Sequence, residues 1–163
     1  MTMDNPYAPP RAEVEDVVRT GEVAPPLWNP NAAANWSLLL SVAFGAWLHA
    51  RNWDAMGEPA RAAASRRWVW GSIAAMTALG LVNVFLPRAG TLLRLGGIAL
   101  LVTWYVAEAR PQVRYVAGRY GLKYPRKGWG MPILAALGVL ALYTAAMFAV
   151  GFAMAAAGVL RGT

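Results

Sequence analysis

The side chains able to do chemistry are few and far apart. His49 is the only histidine and the chain contains no cysteine, and a lone imidazole without thiolates or paired carboxylates makes a poor metal site. With Asn35, Asn52 and Asp54 it can form a polar cluster, and with Asp54 or Glu58 a minimal acid/base pair, the one arrangement open to lipid modification. Ser37, Ser41, Ser65 and Ser72 have no histidine and carboxylate at the spacing of a triad, and the chain carries no G-x-S-x-G elbow, P-loop, dinucleotide fingerprint or H-E-x-x-H. The expectation is a protein with no catalytic, cofactor-binding or metal-binding constellation, hence a non-enzymatic one.

Polar residues inside apolar runs are the next place to look, because ionisable groups are costly in lipid. Arg94 sits about one turn inside a helix end, where its long side chain can snorkel to the headgroups. Glu108 lies on the same helix roughly 21 Å further along the axis, too far to pair with Arg94, so Arg66, Arg67 or Arg110 are its expected partners. Asn83 and Thr103 stand on the two arms of a helical hairpin and suit interhelical hydrogen bonds. Asn83, Arg94, Thr103, Glu108 and His49 are thus the candidate intramembrane polar positions. A small oligomeric transporter or channel, the alternative to a contact protein, would have to use them.

The surroundings of these residues are not those of a soluble domain. Of 163 residues 58% are hydrophobic and 14% charged, against about 45–50% and 25% in ordinary globular chains, which points to lipid as the solvent. Trp36, Trp53, Trp68, Trp70, Trp104, Tyr105, Tyr124 and Trp129 cluster at the ends of apolar runs, where amphipathic rings favour the membrane interface. The net charge of +7 is equally patterned: six of fifteen basic residues fall in 110–127 and four in 51–67, both flanking apolar runs. That placement reads as membrane topology rather than a nucleic-acid footprint. Arg110, Arg114, Arg119, Lys123, Arg126 and Lys127 are the expected contacts to anionic lipid headgroups, each gaining about 1 kcal/mol there.

The elements that must carry these groups follow. Residues 1–34 form an acidic, Pro-rich tail expected to be disordered, with Val14, Val17 and Val18 spaced for a short helix over 12–19. Residues 35–56 hold an apolar run around Leu38–Leu48 that falls short of the ~20 residues a span needs, so a re-entrant or interfacial helix is expected. Residues 57–163 are the transmembrane domain, with helices at about 67–86, 91–109 and 131–160. Pro59 can open the first, Pro87–Gly90 turns the chain, Pro111 ends the second, and a basic connector over 110–130 lies on the surface. The fold class is an all-α membrane protein with three transmembrane helices plus one re-entrant or interfacial helix. If residues 35–53 cross instead, there are four. Positive residues stay inside, so loops 51–67 and 110–130 are expected in the cytoplasm. The last helix carries Gly138, Ala141, Ala145, Gly151, Ala155 and Gly158, a small-residue face open to a homo-oligomer or a membrane-protein partner.

The stretches NPYAPP near the start, LWNPNAAANWSLLLSVAFGAWLHARNWDAMGEP over 27–59 and YPRKGWGMPIL over 124–134 together resemble a group of uncharacterised small proteobacterial inner-membrane proteins. The resemblance implies an inner-membrane location and brings no activity. An accessory, scaffold or immunity-type role through protein–protein contacts is the expectation that remains.

Overall fold

A computed structural model describes residues 23–158, and the helix expected over 12–19 lies outside them. The described residues fold almost entirely into helices, three of which are long and apolar enough to cross a membrane. This is an all-α, multi-pass membrane protein. Six α-helices are distinguished below: α1 Pro30–Leu40, α2 Val42–Ala55, α3 Pro59–Phe85, α4 Gly90–Trp104, α5 Arg110–Tyr120 and α6 Gly130–Ala156.

Pro59 takes the first turn of α3, where its missing N–H leaves nothing unpaired. Residues Pro87–Ala89 form a single 3₁₀ turn that reverses the chain into α4. The second crossing does not stop at Pro111. It runs on through a π-helical turn, Tyr105–Ala109, into α5, giving one rod from Gly90 to Tyr120 of 31 residues. A proline inside an α-helix clashes with the carbonyl four residues back and offers it no donor. The wider π turn lies immediately before Pro111 and shifts those carbonyls, so the helix continues where an ordinary one would break. Residues 110–120, expected to lie flat on the surface, instead continue the helix past Pro111. Gly121, at φ 70, closes the rod with its N–H on the Ala117 carbonyl.

The segment before α3, expected as one re-entrant or interfacial helix, is two helices folded into a hairpin. Ser41, at φ 143, breaks the backbone, and its Oγ accepts from the Phe44 N–H to cap α2. The two helices run antiparallel: His49 reaches the Pro30 carbonyl at 3.2 Å, and Trp28 bonds to Asn52. Both ends of the hairpin therefore lie on one side of the bundle, the side holding the start of α3 and the end of α5. We call this the basic end. At the tip Leu38 and Leu39 stay 67% and 74% exposed.

Of the tail expected to be disordered over 1–34, residues 1–22 lie outside the described residues and residues 27–34 are ordered. Leu27 is wholly buried, and residues 30–34 already belong to α1. Leu27 joins residues 125–127 in an isolated parallel bridge, its N–H on the Pro125 carbonyl and its carbonyl accepting from Lys127 N–H. The core is divided by depth. Trp53, Ala62, Val116 and Tyr120 pack with Leu27 at the basic end, Ala34, Val42, Ala46, Trp104 and Ala109 pack where the hairpin meets the second crossing, and Phe44 and Leu48 pack under Trp28, Trp36, Trp47 and Trp129. Outside these clusters the spans are bare: at most 6% of each apolar window is buried, so their outer faces need lipid to cover them.

Gly45 is the closest approach in the hairpin. A β-carbon there would lie 1.9 Å from Ser37 Oγ and 2.6 Å from the Trp104 ring. Gly45→Val is expected to cost about 1–3 kcal/mol or more by overpacking, read as a lower Tm in detergent. Gly97→Ala, where nothing lies within 4 Å, serves as the control with unchanged Tm.

Candidate functional site

The hairpin is held to the spans by a small polar knot. Asn52 and Trp28 exchange two bonds, Trp28 N–H to Asn52 Oδ1 at 3.0 Å and Asn52 Nδ2 to the Trp28 carbonyl at 2.8 Å. Asn52 Nδ2 also reaches Gln112 Oε1 at 3.3 Å, and Gln112 Nε2 donates to the His49 carbonyl at 2.9 Å. Asn52, Gln112 and His49 are all fully buried. α5 places Gln112 here only because the helix passes through Pro111. A side chain on a flat surface helix could not reach the hairpin.

His49 Nε2 faces the Pro30 carbonyl and so carries the ring proton, while Nδ1 is buried without a partner. Its ring meets Trp104 edge-on at 5.5 Å. Burial pushes the imidazole down to about 4, opposed by the bond to Pro30. A neutral, enclosed imidazole between an indole and a backbone carbonyl is a packing group. Asn35 and Asp54 do not join it: Asp54 instead accepts Arg66 at 2.9 and 3.1 Å on the exposed side.

A second polar group lies at the basic end of α3 and α5. Tyr115 donates to Glu58 at 2.6 Å, Arg119 donates to the Tyr115 hydroxyl, and Arg119 stands 3.6 Å from the Glu58 carboxylate. Arg61 stacks on Trp53 and Tyr115 with its guanidinium 4.9 and 4.6 Å from the ring centres. Beside it, Ser65 donates to Glu108, a carboxylate carried by the π turn. Glu108 thus takes a serine hydroxyl rather than the expected Arg66, Arg67 or Arg110. Arg61, Glu108, Arg114 and Tyr115 border an open cleft of about 560 Å³.

The remaining intramembrane candidates are not brought together. Asn83, Arg94 and Thr103 are each exposed on the outer surface of the spans. Of the basic residues assigned to headgroups, Arg110, Arg114, Lys123 and Arg126 are exposed, Lys127 is half-buried, and Arg119 turns inward to Glu58. Gln112 is not singled out by the sequence, and Ser65 enters there only as a serine without a triad. The signal for Gln112 was its position one helical turn beyond Glu108, hidden by reading Pro111 as a terminator. Among the described residues no group of His, Cys, Asp and Glu could hold a metal ion. No protein-family model, curated protein or solved structure matches the chain.

The His49 imidazole gives a pH signature. Unfolded it titrates near 6.5 and folded near 4, so below pH 6.5 the unfolded chain binds a proton that the folded one refuses. Its contribution is complete above pH 6.5 and declines as pH falls towards 4, by up to about 1.4 kcal/mol per unit. Tm measured in detergent from pH 7 to pH 4 should fall more steeply for the native chain than for His49→Gln; parallel curves would contradict the assignment. Gln112→Leu, which strands the Asn52 donor and the His49 carbonyl, should cost about 1–3 kcal/mol at all pH values.

Proposed function

We propose that the protein is a non-enzymatic component of a bacterial inner membrane that works through protein–protein contacts, as an accessory or scaffolding subunit or an immunity-type protein that blocks a partner. The observation that supports this most is the division of its polar and apolar groups. The buried polar side chains His49, Asn52 and Gln112 are engaged in joining the hairpin to the spans. The outer faces of the helices, by contrast, present large apolar side chains such as Leu134, Leu142, Phe148 and Phe152, exposed by 65% to 79%. Each of these three side chains already holds a hydrogen bond to another part of the chain.

The basic end is read as cytoplasmic. It carries Arg51, Arg61, Arg66, Arg67 and the six cations of 110–127, whereas Arg88 and Arg94 are the described cations towards the other end. Arg110, Arg114, Lys123 and Arg126 then lie beside anionic headgroups. A homo-oligomer is compatible with the small residues of α6.

A second reading, a small oligomeric transporter or channel, draws on one feature: a re-entrant hairpin broken at Ser41 within the apolar zone, as discontinuous helices are in transporters. Asn83, Arg94 and Thr103 would then have to meet between copies.

Three measurements test these readings. Reporters fused at residues 20, 56, 89, 120 and the C-terminus should place 20, 56 and 120 in the cytoplasm and 89 outside; a periplasmic signal at 20 would require a fourth crossing. Purification in mild detergent with mass spectrometry should recover a reproducible membrane partner. Solute flux in reconstituted liposomes that Glu108→Ala or Arg94→Ala alters would favour transport instead.

A further inference from the structure

α6 does not close against the rest of the bundle. Between it, the hairpin and α3 lies a cleft of about 380 Å³, walled by Phe44, Trp47, Ile73, Met76, Ala136 and Val139 among others. The hydroxyls of Ser41 and Tyr143 and the Trp47 indole are the polar groups on its wall. Two of its three sides are membrane-crossing helices, so it opens at membrane depth, where water has no place and hydrocarbon does. Along α6 it runs from Pro132 to Tyr143, roughly 16 Å at 1.5 Å per residue. That is about half of a ~30 Å hydrocarbon core, the reach of one acyl chain from one leaflet.

The basic-end mouth of this cleft is aromatic and cationic. Trp47, which lines the cleft, has the Arg51 guanidinium 5.3 Å from its ring centre. Trp28 lies 6.2 Å from Trp47, with the Lys127 ammonium 4.4 Å from its own ring centre. Neither cation has a carboxylate in ion-pair range among the described residues, in contrast to Arg61, Arg66 and Arg119 at the same end. The indoles hold these two charges in place through their π faces and leave the N–H donors available to an anion. An apolar trough one leaflet deep, with unpaired cations over its interfacial mouth, matches one class of molecule in both shape and charge.

We propose that this cleft binds an anionic glycerophospholipid, one acyl chain lying between the hairpin and α6 and the phosphate held by Arg51 and Lys127. The lipid acts as a filler that couples α6 to the hairpin. The site rests on the packing of the hairpin against α3 and α6 and is independent of whether the protein works by contacts or by transport.

The test is native mass spectrometry of the full chain in detergent, titrated separately with phosphatidylglycerol, phosphatidylcholine and inorganic phosphate. Phosphatidylglycerol should bind as a discrete adduct and raise Tm, and inorganic phosphate should do neither. Arg51→Ala/Lys127→Ala should lower the phosphatidylglycerol affinity roughly 25-fold, about five-fold per cation, and erase its preference over phosphatidylcholine. Ala136→Trp should displace both lipids while Arg51 and Lys127 remain; circular dichroism reports whether it folds, and Ala136→Leu replaces it if it does not. Equal binding of the two lipids to the native chain, an unchanged preference in the double variant, or protection by inorganic phosphate alone would overturn the proposal. The first or second result would remove the phosphate role, and the third would remove the acyl chain.

Discussion

The Asn52 carboxamide holds together parts of the chain that would otherwise separate. It bonds to the backbone of Trp28 in both directions and to Gln112 on the second crossing. The helices it serves, α1 and α2, have 11 and 14 residues, lengths at which an isolated helix is marginal even with favourable residues. Neither can cross a bilayer. They persist because one amide fixes their base while Trp104 fills the space left by Gly45 further in. In hydrocarbon the alternative to these bonds is a bare polar group, so a fully connected knot is worth more than its bond count suggests. Among the described residues Trp53 Nε1, Trp104 Nε1 and His49 Nδ1 are the exceptions, buried without partners.

The polar knot in turn requires an unbroken second crossing. Were the helix to stop before Pro111, Gln112 would lie outside the bundle and Asn52 would lose its link to the spans. The π turn over Tyr105–Ala109 resolves the conflict between a proline and a straight rod. It has a further effect on chemistry, since the register shift brings Glu108 to Ser65 across α3. The residue that looks least compatible with a helix is thus placed where the helix is already deformed. The arrangement also explains why the cationic residues of α5 divide, Arg119 turning to Glu58 while Arg114 stays outside.

The outline of the fold was legible because lipid imposes simple demands. Apolar runs of sufficient length appear as three helices able to cross a membrane, Pro59 opens the first of them, and the short run around Leu38–Leu48 is not among them. The run's division at Ser41 was not legible, because serine is common inside helices and nothing local requires φ 143. The packing of Gly45 against Ser37 and Trp104 draws the two halves together, and only the folded chain contains that contact. Pro111 misled for the opposite reason: the local rule was sound and a tertiary demand overrode it. The candidate site suffered most. Arg94, Asn83 and Thr103 were chosen for being polar in apolar runs, but polarity along a helix does not reveal which way it faces, and these face outward. His49 was placed in a polar cluster, yet two of the proposed members, Asn35 and Asp54, lie elsewhere while Gln112 takes part.

The knot also sets an order of events during synthesis. Asn52 and its partner Gln112 are 60 residues apart in the chain, so at roughly 5–20 residues per second the hairpin leaves the ribosome about 3–12 s before the side chain that completes it. Throughout that interval His49 and Asn52 belong to two short helices with no second crossing to receive them. The link between the hairpin and the spans closes only when α5 arrives. The hairpin is therefore made well before the bond that anchors it to the second long helix.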